Sequence, residues 1–330
     1  MPSATGAAIG RWRAWLCGSA LALCGALLPA PAYAAGSSNL GGPELPAACM
    51  QALLAGQDAL QRMDFEGAHR LTQQGIAQQA GHPLPRIFLQ GVYLYEIQES
   101  ILAGKLDPGL LERFYQESAT AIQMAEALDA AAPSARSRLY LGGAYGCRGM
   151  ARLYEKSYWK SYQDGKRAYA DLREAVARDP GLFNAYLGLG QFQYFCGRMQ
   201  GLLQFVLSMH GDVPAALQNL KACALKGDYA SIPAKLFLCQ VLITDQKDYQ
   251  AALPFILEAR ACYPENYHYC EYMVMEAEGL GWQEPQSLRA AQRVFSQVEQ
   301  GGLAPGCHFD FKAHQESMRQ ALAAKERPAL

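Results

Sequence analysis

Between residue 47 and about residue 300 the chain repeats a pattern of apolar stripes separated by polar turns. Ala121, Ala168 and Ala252 each stand twelve residues before a proline, at Pro133, Pro180 and Pro264. Four residues after each alanine comes Ala125, Leu172 or Ile256, and seven after comes Leu128, Ala175 or Ala259. Offsets of four and seven share one helix face, so each window predicts a helix with one buried stripe. Each helix should stop near its proline, because a proline ring drives the residue before it out of the helical region. Ten residues beyond Pro133 and Pro180 stand Gly143 and Gly190, at points where a following helix could cross closely only without a side chain. The first unit, residues 49–79, pairs Gly56 with Ala68 twelve residues later and places Phe65 three before the alanine.

This combination resembles the tetratricopeptide repeat (TPR) family. The segment 247-KDYQAALPFILEARACYPEN-266 matches best, with Tyr249, Ala252, Ala259 and Pro264 in family positions. Gln240 stands where that family has Gly or Ala, which leaves the packing of that hairpin's first helix open. The resemblance implies an all-α, right-handed α-solenoid of antiparallel helix hairpins over residues 47–300. Residues 1–34 would be a signal peptide, 35–46 a flexible segment, and 301–330 a helical cap and tail. The middle units are longer than the family's. Pro133 to Pro180 is 47 residues and Ala168 to Ala216 is 48, while small residue and alanine lie 25 or 26 apart instead of 12. The extra 13 or 14 residues amount to about four helical turns. Shared between two helices, they predict tall central hairpins between about 84 and 228, flanked by short ones.

Within the extension, 151-ARLYEKSYWKSYQDGKRAY-169 spaces Tyr154, Tyr158 and Tyr162 one helical turn apart, with Trp159 and Tyr169 nearby. Asp164-Gly165 reads as the turn between helices. The stripe is either hairpin core or an exposed aromatic surface assisted by Lys156, Lys160, Lys166 and Arg167. The next extension carries a denser apolar run, Leu202, Leu203, Phe205, Val206, Leu207 and Met209, followed by a Gly-Asp turn and Pro214. Packing against the preceding tall hairpin accounts for it.

Composition adds a compartment. Arg11 and Arg13 precede the apolar run 14-AWLCGSALALCGALLPAPAYA-34, and Ala32 and Ala34 supply the small residues a signal peptidase requires, so cleavage after Ala34 is expected. No other stretch is long and apolar enough to span a bilayer, so no integral membrane segment remains after cleavage. The chain has 29 Lys and Arg against 30 Asp and Glu, without a basic block, which argues against a nucleic-acid partner. Eight cysteines lie beyond residue 34, and export would permit disulfides. Cys262 and Cys270, flanking Pro264, form the best candidate pair. The alternative is that the cysteines serve as small buried hydrophobes in helices.

Residues that carry catalysis are sparse. His occurs at 69, 82, 210, 268, 308 and 314, and no nucleophile elbow, zinc-protease helix, phosphate loop or dinucleotide fingerprint is present. The cluster 307-CHFDFKAH-314 offers ligand types for zinc, but the spacing of His308 and His314 is awkward on one helix face, and a polar terminal cap explains it better. No catalytic residue, cofactor or metal is therefore assigned. By resemblance the expected activity is non-catalytic recognition of a peptide or protein segment in the periplasm, with outer-membrane association or secretion as other destinations. Family-like orientation would put Tyr145, Asn184, Tyr186, Gln193 and Tyr194 on the binding face. The competing reading is a small-molecule carrier, with a pocket lined by Tyr154, Tyr158, Trp159 and Phe205.

Overall fold

In the computed structural model, residues 45–198, 211–302 and 309–325 are described. They form 13 α-helices and one π-helical turn, with no strand among them, so the all-α solenoid expectation holds. The signal segment and Phe205 lie outside the described residues. Among those described, no helix is long and apolar enough to cross a membrane. The chain divides into two compact units, Met1–Ala234 and Lys235–Leu330.

Unit 1 contains α1 (Ala47–Gln61), α2 (Phe65–Gln78), α3 (Pro83–Leu102), α4 (Pro108–Ala131), α5 (Ala135–Tyr154), α6 (Tyr158–Arg178), α7 (Ala185–Arg198) and α8 (Val213–Lys226). Consecutive helices pack as hairpins, and each first helix also touches the next, α1 on α3, α3 on α5 and α5 on α7. Helix starts are set by side chains that accept the first free backbone N–H groups. Asp64 accepts from Gly67, Asp107 from Gly109 and Asp212 from Ala215, while Ser134 and Ser137 form a reciprocal capping box. Helix ends follow the prolines. Ala132 and Asp179, each preceding one, leave the helical region with ψ of 75° and 96°.

Two larger apolar clusters, with a small third around Ala121, Ile122 and Ala144, pack the described residues of this unit. One joins Cys49 and Leu53 of α1 to Phe88, Leu141, Leu172 and Leu189 across the hairpins. The other sits toward the far ends of α3, α4 and α5, built from Leu94, Ile97, Phe114, Met150 and Tyr154. The second cluster exists because those helices are long: α3 to α6 run 20, 24, 20 and 21 residues, against 15 and 14 for α1 and α2. The tall hairpins α3–α4 and α5–α6 beside a short one are as expected; α7 and α8 run 14 residues each as described, and the apolar run at 202–209 lies outside the described residues.

Gly190 meets α8 at the expected place, where a β-carbon would lie 2.9 Å from the Ala216 carbonyl oxygen. The residue crossing Ala168 is Gly142, one earlier than expected; its β-carbon would lie 2.5 Å from Leu172 Cγ and 3.1 Å from the Ala168 oxygen. Gly143 instead faces Ile87 of α3. With Gly142 in place, small residue and alanine are 26 apart in both long units, and the two units repeat at 48. Asp164 and Gly165 are not a turn, for both lie inside α6. The turn falls at residues 155–157, where Lys156 takes a φ of 61°.

Unit 2 comprises most of α9 (Ser231–Gln240), a π-helical turn (Val241–Gln246), α10 (Tyr249–Cys262), α11 (Tyr267–Gly279), α12 (Pro285–Glu299) and α13 (Phe311–Lys325). Here too the crossing residue is one earlier than the sequence pattern suggests. Cys239, not Gln240, lies against α10, with Sγ 3.8 Å from the Ala252 carbonyl oxygen. The interval from Cys239 to Ala252 is one longer than from Gly56 to Ala68, and the π turn absorbs the additional residue. Helix α11 is the centre of this unit, contacting α10, α12 and α13 and burying Tyr267, Tyr269, Met273 and Val274.

Candidate functional site

The glycine stripe of α5 brings its backbone close to α6, and that closeness buries charge. Gly142 and Gly149 face α6, and a β-carbon on Gly149 would lie 3.3 Å from Asp164 Cβ. Asp164 is consequently 4% exposed, held by Arg148 at 2.8 and 2.9 Å and by Arg152 at 2.5 Å. Two turns further, Asp171 accepts from Arg138 at 2.9 Å and Arg167 at 2.8 Å. The hydrogen bonds to Asp164 and Asp171 raise the pKa values of Arg148 and Arg167 above the ordinary guanidinium value.

Tyr145 lies over this network, with the guanidinium carbons of Arg148 and Arg167 at 5.0 and 5.6 Å from its ring. Its hydroxyl donates to Glu126 of α4 at 2.7 Å, and burial followed by that bond raises its pKa. Gln193, 48 residues on, repeats the arrangement one hairpin later. Its amide donates to Tyr169 of α6 at 3.3 Å and accepts from Asn219 of α8 at 2.6 Å. Both side chains bridge adjacent second helices, so each is a seam between hairpins. Tyr194 is 3% exposed and belongs to the core.

Asn184 and Tyr186 sit near a different feature. The Asn184 carbonyl Oδ1 accepts from the backbone N–H groups of Asp228 at 2.9 Å and Ala230 at 3.2 Å. From α1, Gln57 Nε2 donates to the Tyr229 carbonyl at 3.0 Å. The Tyr229 ring tilts against Phe88 of α3 at 5.3 Å. Its phenol is pushed well above the ordinary value, first by burial and then by Tyr140 of α5 and Asp228, with Arg136 opposing. Side chains from the α1, α3, α5 and α7 regions thus hold residues 227–230 of the same chain along the side formed by the first helices. Beside this segment His82, Ser134, Arg136, Ser137 and Tyr140 line a small cleft. His82 packs edge-on to Tyr140 at 5.1 Å, and burial lowers its pKa. On the rim, Tyr186 donates to the Pro180 carbonyl at 3.2 Å and stacks on Phe183, over which Lys226 lies at 5.1 Å.

Sequence reasoning missed Gln57, Phe88, Tyr140 and Tyr229. The one available signal was a tyrosine directly after the Gly227-Asp228 turn, since a large ring in a short interhelical loop needs a place to bury.

The aromatic stripe is divided by the turn at 155–157. Tyr154 is 3% exposed in the second cluster, whereas Tyr158 and Trp159 are 39% and 58% exposed, so the three rings do not line a common cavity. No disulfide joins Cys262 to Cys270. The Cys270 thiol is turned inward, receiving Arg260 Nη1 at 3.1 Å and donating toward the Asn266 carbonyl at 3.5 Å. The other described cysteines in the core, Cys49, Cys147, Cys196, Cys223 and Cys239, are thiols buried like small hydrophobes. Burial pushes Cys147 and Cys196 up to about 12 and Cys270 to about 11, so thiolates are scarce at neutral pH.

Cys307 and His308 lie outside the described residues. His314 stacks on Phe309 and bonds Glu278 at 2.7 Å, and no group of three or more metal-ligand side chains converges among the described residues. No known family model matches the chain, and no curated protein matches it.

Proposed function

We propose that the chain is a non-catalytic binding protein of the cell envelope, built on TPR-like hairpins, that recognises a peptide or protein segment along the first-helix side of unit 1. The observation supporting this reading is the way that side treats residues 227–230. Asn184 captures two backbone N–H groups, Gln57 captures a backbone carbonyl, and Phe88 seats an aromatic ring. Those are the elements by which a polypeptide is held with little regard to its sequence and one ring as anchor. A partner segment laid beside Tyr229 would meet Tyr186 and Arg136 at the rim, with Gln57 and Asn184 holding residues 227–230 in place beneath it. Export by the N-terminal segment would place this activity in the periplasm.

Capture from an envelope extract, using the chain from residue 35, tests the proposal. The native chain should retain a discrete protein partner, and Gln57→Ala with Asn184→Ala and Tyr186→Ala should lose it while helix content stays constant. Undiminished capture by the triple variant refutes the assignment of this surface.

A further inference from the structure

The tip joining α5 to α6 presents a surface that the reading above does not use. Among the described residues three large hydrophobic side chains are exposed, and two of them, Tyr158 and Trp159, are neighbours on this tip. Trp159 leans on Tyr162 with ring centroids 5.7 Å apart. Trp159, Tyr162 and Lys166 follow the spacing of a single helix face.

Charge along residues 155–166 leans positive. Asp164 is enclosed by Arg148 and Arg152, which leaves Glu155, exposed and accepting from the Tyr115 hydroxyl of α4, as one acid against three lysines. Lys156, Lys160 and Lys166 are exposed and join no ion pair among the described residues. The turn that presents them is closed by backbone bonds, Lys156 N–H to the Leu153 carbonyl at 2.9 Å and Ser157 N–H to the Arg152 carbonyl at 2.8 Å. The patch is therefore held in place before any partner arrives.

We infer that this tip docks on an anionic lipid surface, with Tyr158 and Trp159 entering the headgroup layer and the three lysines pairing with lipid phosphates. Amphipathic rings favour that interface, and lysine stems reach its charges from an apolar base. A protein partner of ordinary stability would bury about 800 Å² on this side, whereas the exposed large hydrophobics of this tip are Tyr158 and Trp159 alone among the described residues. A deformable headgroup layer needs only a protruding ring and cations around it.

Vesicle binding decides the matter. Residues 1–34 carry Trp12, Trp15 and an apolar run that would itself bind lipid, so the chain is used from residue 35; the described helices begin at Ala47. Trp159 and the buried Trp282 are then its tryptophans. Phosphatidylcholine vesicles containing phosphatidylglycerol should sediment the protein and shift its emission to the blue, and added salt should reverse both. The shift should persist in Trp282→Phe. Lys156→Gln with Lys160→Gln and Lys166→Gln should weaken partition about 100-fold, from about a five-fold effect per lysine near an anionic surface. Trp159→Ala should abolish most binding at unchanged helix content. Equal partition on phosphatidylcholine alone, or undiminished binding by either the lysine or the tryptophan variant, overturns the inference. So does the same blue shift with soluble polyglutamate, which would assign the tip to an acidic polypeptide.

Discussion

The α5–α6 hairpin and the α7–α8 pair repeat each other at 48 residues, yet they treat the same acid in opposite ways. Asp164 lies inside α6 and is buried, while its counterpart Asp212 is exposed and caps the start of α8 through Ala215 N–H at 3.0 Å. Two sequence differences account for this. Arg148, which compensates Asp164, corresponds to Cys196, so a buried Asp212 would have lacked that cation. Lys166 corresponds to Pro214, which is costly in a helix interior and favours the first turn. Gly197 and Gly211 then meet directly, for a β-carbon on Gly211 would fall 1.8 Å from Gly197 N. One register therefore supports a continuous tall hairpin or a pinched neck, according to whether the buried carboxylate has cations.

The strongest way to break this comparison is to remove the cations. Arg148→Met with Arg152→Met should destabilise unit 1 by about 3–5 kcal/mol, because Asp164 would remain buried without compensation. Urea unfolding followed by circular dichroism measures it, and a loss below about 1 kcal/mol would show that Asp164 reaches water. The close crossings should respond alike: Gly142→Ala and Gly190→Ala are each expected to cost about 2 kcal/mol, since both new methyls would overlap α6 or α8. Clearly unequal losses would end the equivalence of the two crossings.

Unit 2 supplies a third treatment of a buried acid. Glu276 on α11 is 0% exposed, and its Oε1 accepts from Ser287 Oγ at 2.9 Å. Burial raises its pKa to about 7, opposed by the Ser287 bond and reinforced by Glu284. With the folded value above the unfolded one, the unfolded state loses this proton first. Stability should therefore fall as pH rises from about 4.5 to 7 and level off beyond, with a slope of at most about 1.4 kcal/mol per pH unit. Glu276→Gln should remove that slope in thermal melts taken across the window, and an unchanged slope would place the titration elsewhere. Smallest of all, Asp212→Ala should cost about 1 kcal/mol, the loss of a helix cap. A cost equal to that of the arginine variant would contradict its surface role.

Much of the fold was legible because helix period, capping residues and prolines are local signals. The alanines before Pro133, Pro180 and Pro264 located α4, α6 and α10, and Gly56, Gly190, Ala168 and Ala216 all lie at helix crossings. The misplacements were single-residue ones, Gly143 for Gly142 and Gln240 for Cys239. Adjacent positions on a helix differ by about 100°, and two neighbouring glycines offer no sequence cue to which one faces the partner. The turn assigned to Asp164-Gly165 failed for a different reason. Such dipeptides favour turns when solvated, but arginines one helix away made burial of the aspartate affordable. The candidate site was the least legible part. Tyr145 and Gln193 occupy the chosen helix face, yet whether that face meets a groove or a neighbouring second helix depends on how hairpins stack.

By itself the sequence determined the all-helical class, the positions of most helices and a central period of 47 or 48 residues, since hydrogen bonding, proline sterics and apolar spacing act within a few turns. Only the tertiary structure decided which charges are buried, that residues 227–230 fill the first-helix side, and that Trp159 faces outward while Tyr154 faces inward. Those outcomes depend on contacts between residues up to 172 positions apart, as between Gln57 and Tyr229, whose energies no local pattern encodes.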